Sequence, residues 1–131
     1  MLILEMTPLK PLKIVIVGAR QRFWRLGQEE LARMFIDKIM EDYPDALFIS
    51  GECPEGGVDI WVKEIAQYKN RKFKPYPPKK KGWYYYKKRN IQMAEAGDLI
   101  IDIEPVGHTG GGTWTLNFAK SIGKKTFGTV F

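Results

Sequence analysis

Leu99-Ile100-Ile101-Asp102-Ile103, followed by Gly107-His108-Thr109-Gly110-Gly111-Gly112-Thr113, is the stretch that decides how this chain folds. An apolar, β-forming run empties into a glycine-rich turn, and a helical pattern begins at about Trp114. Such a turn presents backbone N–H groups, at the positive end of a helix dipole, to whatever sits above the sheet, and phosphate is the usual guest. Three successive glycines cost backbone entropy that a simple connector need not incur. Their position at a strand end favours a ligand loop over mere close packing.

Working outward, the same alternation recurs. Leu12 to Val17 reads as a buried strand that stops at Gly18-Ala19-Arg20. Gln28 to Met40 places Leu31, Met34, Phe35 and Ile39 on one helical face. Ala46 to Ile49 is the next strand, and the turn Ser50 to Gly57 leads into a helix from about Val58 to Tyr68 with Val58, Trp61, Val62, Ile65 and Ala66 as its stripe. Arg71 to Lys74 reads as a short strand. Lys88 to Ala96 reads as a helix closed by Gly97, Trp114 to Ile122 as another closed by Gly123, and Thr126 to Phe131 as a last strand. Strand-helix alternation of this kind predicts an α/β, Rossmann-like doubly wound sheet, mainly parallel, of about five strands with helices on both faces. Ligands of such sheets bind beyond the carboxyl ends of the strands. The turns at Gly18, at Ser50 to Gly57 and at Gly107 to Thr113 all gather there.

The 131 residues, 44% of them hydrophobic, suit one domain spanning 1–131. The apolar opening Met1 to Leu4 is interrupted by Glu5, Pro8, Lys10 and Pro11, so neither a membrane span nor a signal peptide is expected and a cytoplasmic chain is. Cys53 is the single cysteine, which excludes an intrachain disulfide and a thiolate zinc site, and no metal is expected. It lacks a visible histidine partner and reads as an inert turn residue.

The net charge of +6 comes from one segment. Residues 69–89 hold ten basic and no acidic side chains, while the remaining chain carries 11 basic and 15 acidic. Phe73, Tyr76, Trp83, Tyr84, Tyr85 and Tyr86 are interleaved with those cations, forming a basic aromatic loop at about 74–88. Cations mixed with aromatics suit both bases and phosphates; a solvated loop that aids solubility is as good a reading. Four adjacent aromatics cannot all face a core, so some must meet solvent, a ligand or another subunit. Trp61 and Trp114 fall on helices, where core packing is expected.

In combination these residues resemble the SLOG superfamily. Gly18-Ala19-Arg20, then Phe48-Ile49-Ser50-Gly51 with Gly56-Gly57-Val58-Asp59, then Arg89-Asn90-Ile91-Gln92-Met93, then Gly97 to Ile101 and Gly110 to Thr113 carry the likeness, which spans roughly Lys13 to Phe127. The superfamily includes phosphoribohydrolases of the LOG type, often labelled lysine decarboxylases, the DNA-processing protein DprA, and small bacterial and phage proteins of the YspA type, which the chain resembles most. The resemblance implies a Rossmann-like fold that binds a nucleotide or nucleotide-derived ligand through Gly18, Ala19, Arg20, Ser50, Gly51, Gly56, Gly57, Asp59, Arg89, Asn90, Gly110, Gly111, Gly112 and Thr113. Ser50 reads equally as a turn cap, and Asp59 as a first-turn carboxylate. The LOG hydrolases keep a glutamate three residues after the threonine of the glycine turn; here Leu116 stands there. Binding therefore carries over better than hydrolysis.

The leading expectation is a binding protein for a nucleotide or an ADP-ribose-like molecule, with no other cofactor implied. An N-glycosidic hydrolase or transferase is the alternative; its catalytic candidates are Asp59, Asp102, Glu104 and the lone histidine, His108, with Glu52 and Glu55 as further carboxylates. Single-stranded nucleic-acid binding in the manner of DprA, through 69–89, is a third reading. The resemblance also suits a homodimer joined through the apolar N-terminus or the aromatic loop.

Overall fold

The computed structural model describes residues 10–131. Met1 to Leu4, read above as neither a membrane span nor a signal peptide and as part of a possible dimer surface, lie outside the described residues. Five strands, β1 (Lys13–Gly18), β2 (Leu47–Ser50), β3 (Lys72–Pro75), β4 (Leu99–Glu104) and β5 (Lys125–Val130), alternate with four helices, α1 (Leu26–Asp42), α2 (Val58–Lys69), α3 (Trp83–Ala96) and α4 (Gly111–Ser121). A 3-10 turn, Gln21–Phe23, precedes α1.

The sheet is wholly parallel, in the order β3-β2-β1-β4-β5. The chain therefore winds outward from β1 to β3, returns to the other side of β1 as β4, and winds outward again. The central strand β1 is buried on both faces because its residues feed two cores. Ile14 and Ile16 join Phe48, Ile101, Ile103 and Trp61 beneath α1 and α2. Val15 and Val17 join Ile49, Ile100, Met93 and Leu116 beneath α3 and α4. Each such aliphatic side chain, fully buried, contributes about 1.5–3 kcal/mol of transfer free energy. That double burial is why the strands read as continuous apolar runs rather than as alternating ones.

Three details depart from the sequence reading. Helix α1 buries Ala32, Ile36, Ile39 and Met40, whereas Leu31 and Met34 point to solvent. Two overlapping stripes compete on that helix, and the one that joins the core under α1 and α2 is Ala32, Ile36, Ile39 and Met40. Helix α3 begins at Trp83, not Lys88, so the four aromatics stand on a helix rather than in a loop. Its N-cap is Gly82, a residue that gives no capping signature in sequence, and its first turn is secured by packing of Trp83 on Trp114. Trp114 lies outside both cores: it sits on the outer face of α4, edge-on to Trp83 and stacked on Phe118. Trp61 is in the core, 1% exposed. No helix of the described residues is long and apolar enough to cross a membrane.

Candidate functional site

The winding direction reverses between β1 and β4, so the loops leaving these two strands part in opposite directions and open a crevice at their carboxyl ends. A cleft of about 350 Å3 occupies that crevice. Its floor is Val17 and Gly18 of β1; one wall is Gly111 and Gly112 at the start of α4, the other Cys53, Glu55 and Asp59, and α3 closes the top with Gly82, Trp83, Tyr86, Arg89 and Asn90. The volume falls in the range of small-molecule sites.

Three helices begin at this cleft, and each has a glycine as its N-cap: Gly57 for α2, Gly82 for α3, Gly110 for α4. None of the three has a side-chain cap. The first-turn N–H groups of a helix have few intrahelical partners; at α2 the Val58 N–H already donates to the Ala19 carbonyl at 3.2 Å, and the three starts bring their dipole ends to one space. Helix α1 differs, because Gln28 Oε1 accepts the Arg25 N–H at 3.0 Å. Gly57 is a conformational requirement: φ is +85° and an added Cβ would strike the Ala19 carbonyl and lie 2.7 Å from Arg20 Cα.

Arg89 is 6% exposed and fully engaged. Its guanidinium donates to the carbonyls of Gly51 and Tyr76 and to Asn90 Oδ1 (2.7 Å), and lies 3.9 Å from Asp59 Oδ2. Asp59, the second residue of α2, accepts the Cys53 N–H at 3.2 Å. Burial pushes its carboxyl above the ordinary range, and Arg89 works against that rise. Ser50 is wholly buried and its hydroxyl donates to the Asp59 carbonyl at 2.8 Å. Ser50, Asp59 and Arg89 thus tie together the turns after β2 and β3 and the middle of α3. Cys53 is buried, and burial raises its thiol, which suits an inert residue.

Across the cleft mouth Arg20 Nη1 donates to both oxygens of Glu55, at 3.0 and 2.9 Å, and Tyr86 Oη donates to Glu55 Oε2 at 3.1 Å. These hydrogen bonds hold the Glu55 carboxyl below its usual value. The pair is about one-third exposed. On the other side, beneath α4, Asp102 and Glu104 are buried together, and His108 Nδ1 lies 2.8 Å from Glu104 Oε1. Burial and the neighbouring Glu104 push Asp102 up to about 9; burial raises Glu104 as well. His108 is held below its ordinary value by burial and by Arg20.

Of the residues singled out from sequence, Gly18, Arg20, Asp59, Arg89, Asn90, Gly111 and Gly112 line the cleft. Ala19, Ser50, Gly51, Gly56, Gly57, Gly110 and Thr113 do not; they shape it from behind. Asp102, Glu104 and His108 lie behind the glycine turn rather than in the cleft, and Glu52 pairs with Lys63 at 2.5 Å. Glu55 lines the cleft too, as do Lys81, Gly82, Trp83 and Tyr86, from the basic aromatic segment expected to meet a ligand, solvent or another subunit. The signal for them was the Lys79-Lys80-Lys81-Gly82 sequence, a glycine that opens a helix. Among the described residues no three His, Cys, Asp or Glu side chains gather as a metal site needs.

No family model matches the chain, and no curated protein does. Solved structures do. The chain is similar to the molybdenum cofactor carrier protein of Chlamydomonas reinhardtii, with TM-score 0.70 and 14% identity over 91% of this chain and 76% of that one. It is similar to the structural-genomics target TM1055, with TM-score 0.66 and 16% identity over 88% and 72%. It is also similar to DNA processing protein A from Helicobacter pylori, described by its single-stranded DNA binding mode, with TM-score 0.61 and 16% identity over 90% and 65%. The shared fold is a Rossmann-like α/β one with a parallel sheet. At 14–16% identity the likeness is one of fold.

Proposed function

We propose that this protein binds a nucleotide or nucleotide-derived molecule of the ADP-ribose kind in the cleft between β1 and β4, and holds it without cleaving it. The observation that carries this reading is the convergence of three glycine-capped helix starts on one cleft beside Arg20. The phosphates lie on the first turns of α2 and α4, and Trp83, 47% exposed at the cleft lip, offers a face to the base. The neighbours are described by a molybdenum cofactor and by single-stranded DNA, in keeping with a small-molecule or nucleic-acid ligand on this fold.

Holding is favoured over cutting because no carboxylate stands free in the cleft. Asp59 is locked to Cys53 and Arg89, Glu55 to Arg20 and Tyr86, and Asp102 and Glu104 lie behind Gly112. Titration calorimetry of ligand-free protein with AMP, ADP, ADP-ribose and NAD tests the reading. Saturable binding of one or more, with no release of free base, is expected; no binding across the panel overturns it.

One feature favours a second reading, in which a nucleic-acid strand continues out of the cleft. Lys79, Lys80 and Lys81 are exposed beside exposed Trp83 and Tyr84, while Lys69 is paired with Asp37 and Glu41, and Arg89 is buried. A single strand bound there loses affinity steeply with salt; a salt-insensitive or absent gel shift removes this reading.

A further inference from the structure

Asp102 and Glu104 are two residues apart on β4, so both side chains leave the strand on the face that α4 covers. Each is 4% exposed. Among the described residues, Asp102 Oδ1 and Glu104 Oε2 have no hydrogen-bond donor. Both oxygens press on the backbone of Gly112, the second residue of α4, where even a methyl group has no room. Neighbouring strands bring no charge to the pair: β1 places Val17 beside it, and β5 places Gly128 and Val130. Helix α4 adds only the Thr113 hydroxyl, which favours the charged form of Asp102. From the loop after β4, His108 meets Glu104, with a side chain 20% exposed; Arg20 and Arg22, from the segment after β1, act on His108. Two carboxyls so placed cannot both ionise, and one proton shared between the facing oxygens leaves neither orphaned.

We propose that ligand binding in the cleft is coupled to this proton: the ligand's phosphate rests on the first turn of α4, directly across Gly112 from the acid pair, and the pair keeps its proton while the phosphate is bound. This rests on the pocket reading above and says what regulates it. Gly111 and Gly112 line the cleft on one side, and Gly112 touches both carboxyls on the other. A phosphate and a doubly ionised pair would compete for the same helix start. His108 links the pair to solvent, so the proton enters from water through its ring to Glu104 and Asp102.

Coupling of this kind is reciprocal: if the proton strengthens anion binding, the anion strengthens proton binding. The upward shift of Asp102, to about 9, places the change in an alkaline window. His108 stays neutral throughout that window and does not contribute to it.

The test is calorimetry with two probes, AMP and sulfate, at fixed ionic strength from about pH 7.5 to 10, a range in which neither probe changes charge. Each pH is run in two buffers of different ionisation enthalpy, so that protons taken up are counted directly. Expected is a flat Kd up to about pH 9, then a rise approaching tenfold per pH unit, with uptake of up to about one proton per ligand. D102N, which removes one of the two carboxyls that share the proton, is expected to bind within about threefold of wild type at pH 7.5 and to show a clearly smaller alkaline rise than wild type; E104Q repeats the test should D102N fold poorly. The wild-type proton count needs no variant. AMP binding with no proton uptake, or a wild-type profile as flat as that of D102N, overturns the coupling and leaves the pocket standing. Failure of both probes at every pH overturns the pocket, and the coupling with it.

Discussion

Gly112→Ala is the substitution whose outcome the structure fixes most sharply, because two effects of opposite sign can be weighed. Alanine is the better helix former, by about 0.5–1 kcal/mol inside a helix. Against that, a Cβ at residue 112 would lie 2.5 Å from Glu104 Oε2, closer still to Asp102 Oδ1, and 3.1 Å from Gly18 Cα. Two of these neighbours are side chains anchored on the central sheet and the third is backbone of β1, so none retreats cheaply. Overpacking of this kind costs about 1–3 kcal/mol, occasionally more, and here it also pushes a buried acid pair off its helix start. The clash outweighs propensity by about 0.5–2.5 kcal/mol, and at roughly 4 °C per kcal/mol for a domain of this size the melting temperature falls by about 2–10 °C. Gly111→Ala is the matched control. Its Cβ would meet only Trp83 Cζ3 at 3.4 Å and Asn90 Nδ2 at 3.7 Å, which are ordinary contacts. Thermal unfolding followed by circular dichroism, both variants side by side, decides the matter. Gly112→Ala melting at or above wild type, or Gly111→Ala melting below Gly112→Ala, would refute the packing argument.

Arg89→Ala removes the charge beside buried Asp59 and three hydrogen bonds, and costs about 3–5 kcal/mol in a denaturant titration; Arg89→Lys rescues little, since one ammonium cannot span those partners. Glu55→Gln frees Arg20 and removes a negative charge from the cleft mouth. It changes stability by less than about 1 kcal/mol and strengthens AMP binding up to about tenfold, measured by calorimetry. Asp102 binds its proton more tightly folded than unfolded, so its contribution to stability is present at low pH and is lost as pH rises. The stability of Asp102→Asn relative to wild type therefore increases from about pH 4 to about pH 9 and levels off above, in urea titrations across that range. Leu116→Glu destabilises by about 2–5 kcal/mol and yields no free base from AMP by chromatography, because residue 116 faces the sheet.

The strands were readable because the sheet is buried on both faces, which turns each strand into an apolar run with few competing interpretations. Glycine turns after β1, β2 and β4 placed the crevice, since the positions of Gly18, Gly57 and Gly112 reflect backbone approach that leaves a mark in any sequence. What escaped was settled by tertiary contact alone. The start of α3 depends on Trp83 meeting Trp114 from another helix, and the buried face of α1 depends on how closely it sits against α2. The roles of Arg89 and Glu55 were equally hidden. Arg89 read as a ligand contact and Glu55 as a further candidate carboxylate, yet Arg89 is spent on two carbonyls, and Glu55 on Arg20 and Tyr86.

Leu116 marks where binding and cleavage part. In the hydrolases this chain resembles, the residue three beyond the threonine of the glycine turn is a glutamate; here that position is 8% exposed and packs with Val15, Val17 and Met93. A carboxylate could not ionise among those neighbours. The nearby acidic groups are instead engaged or set back: Asp59, at the cleft wall, is in an ion pair at 3.9 Å, and Asp102 and Glu104 lie behind a helix start that even a methyl group would displace. A site that brings three helix starts without side-chain caps to one cleft, and ties the two carboxylates lining it, Glu55 and Asp59, to arginines, is attractive to phosphate and poor at stabilising a positive, oxocarbenium-like centre. The acid pair then has a different use. Lying just beyond Gly112, it converts the protonation state of the interior into the strength with which the cleft holds an anion.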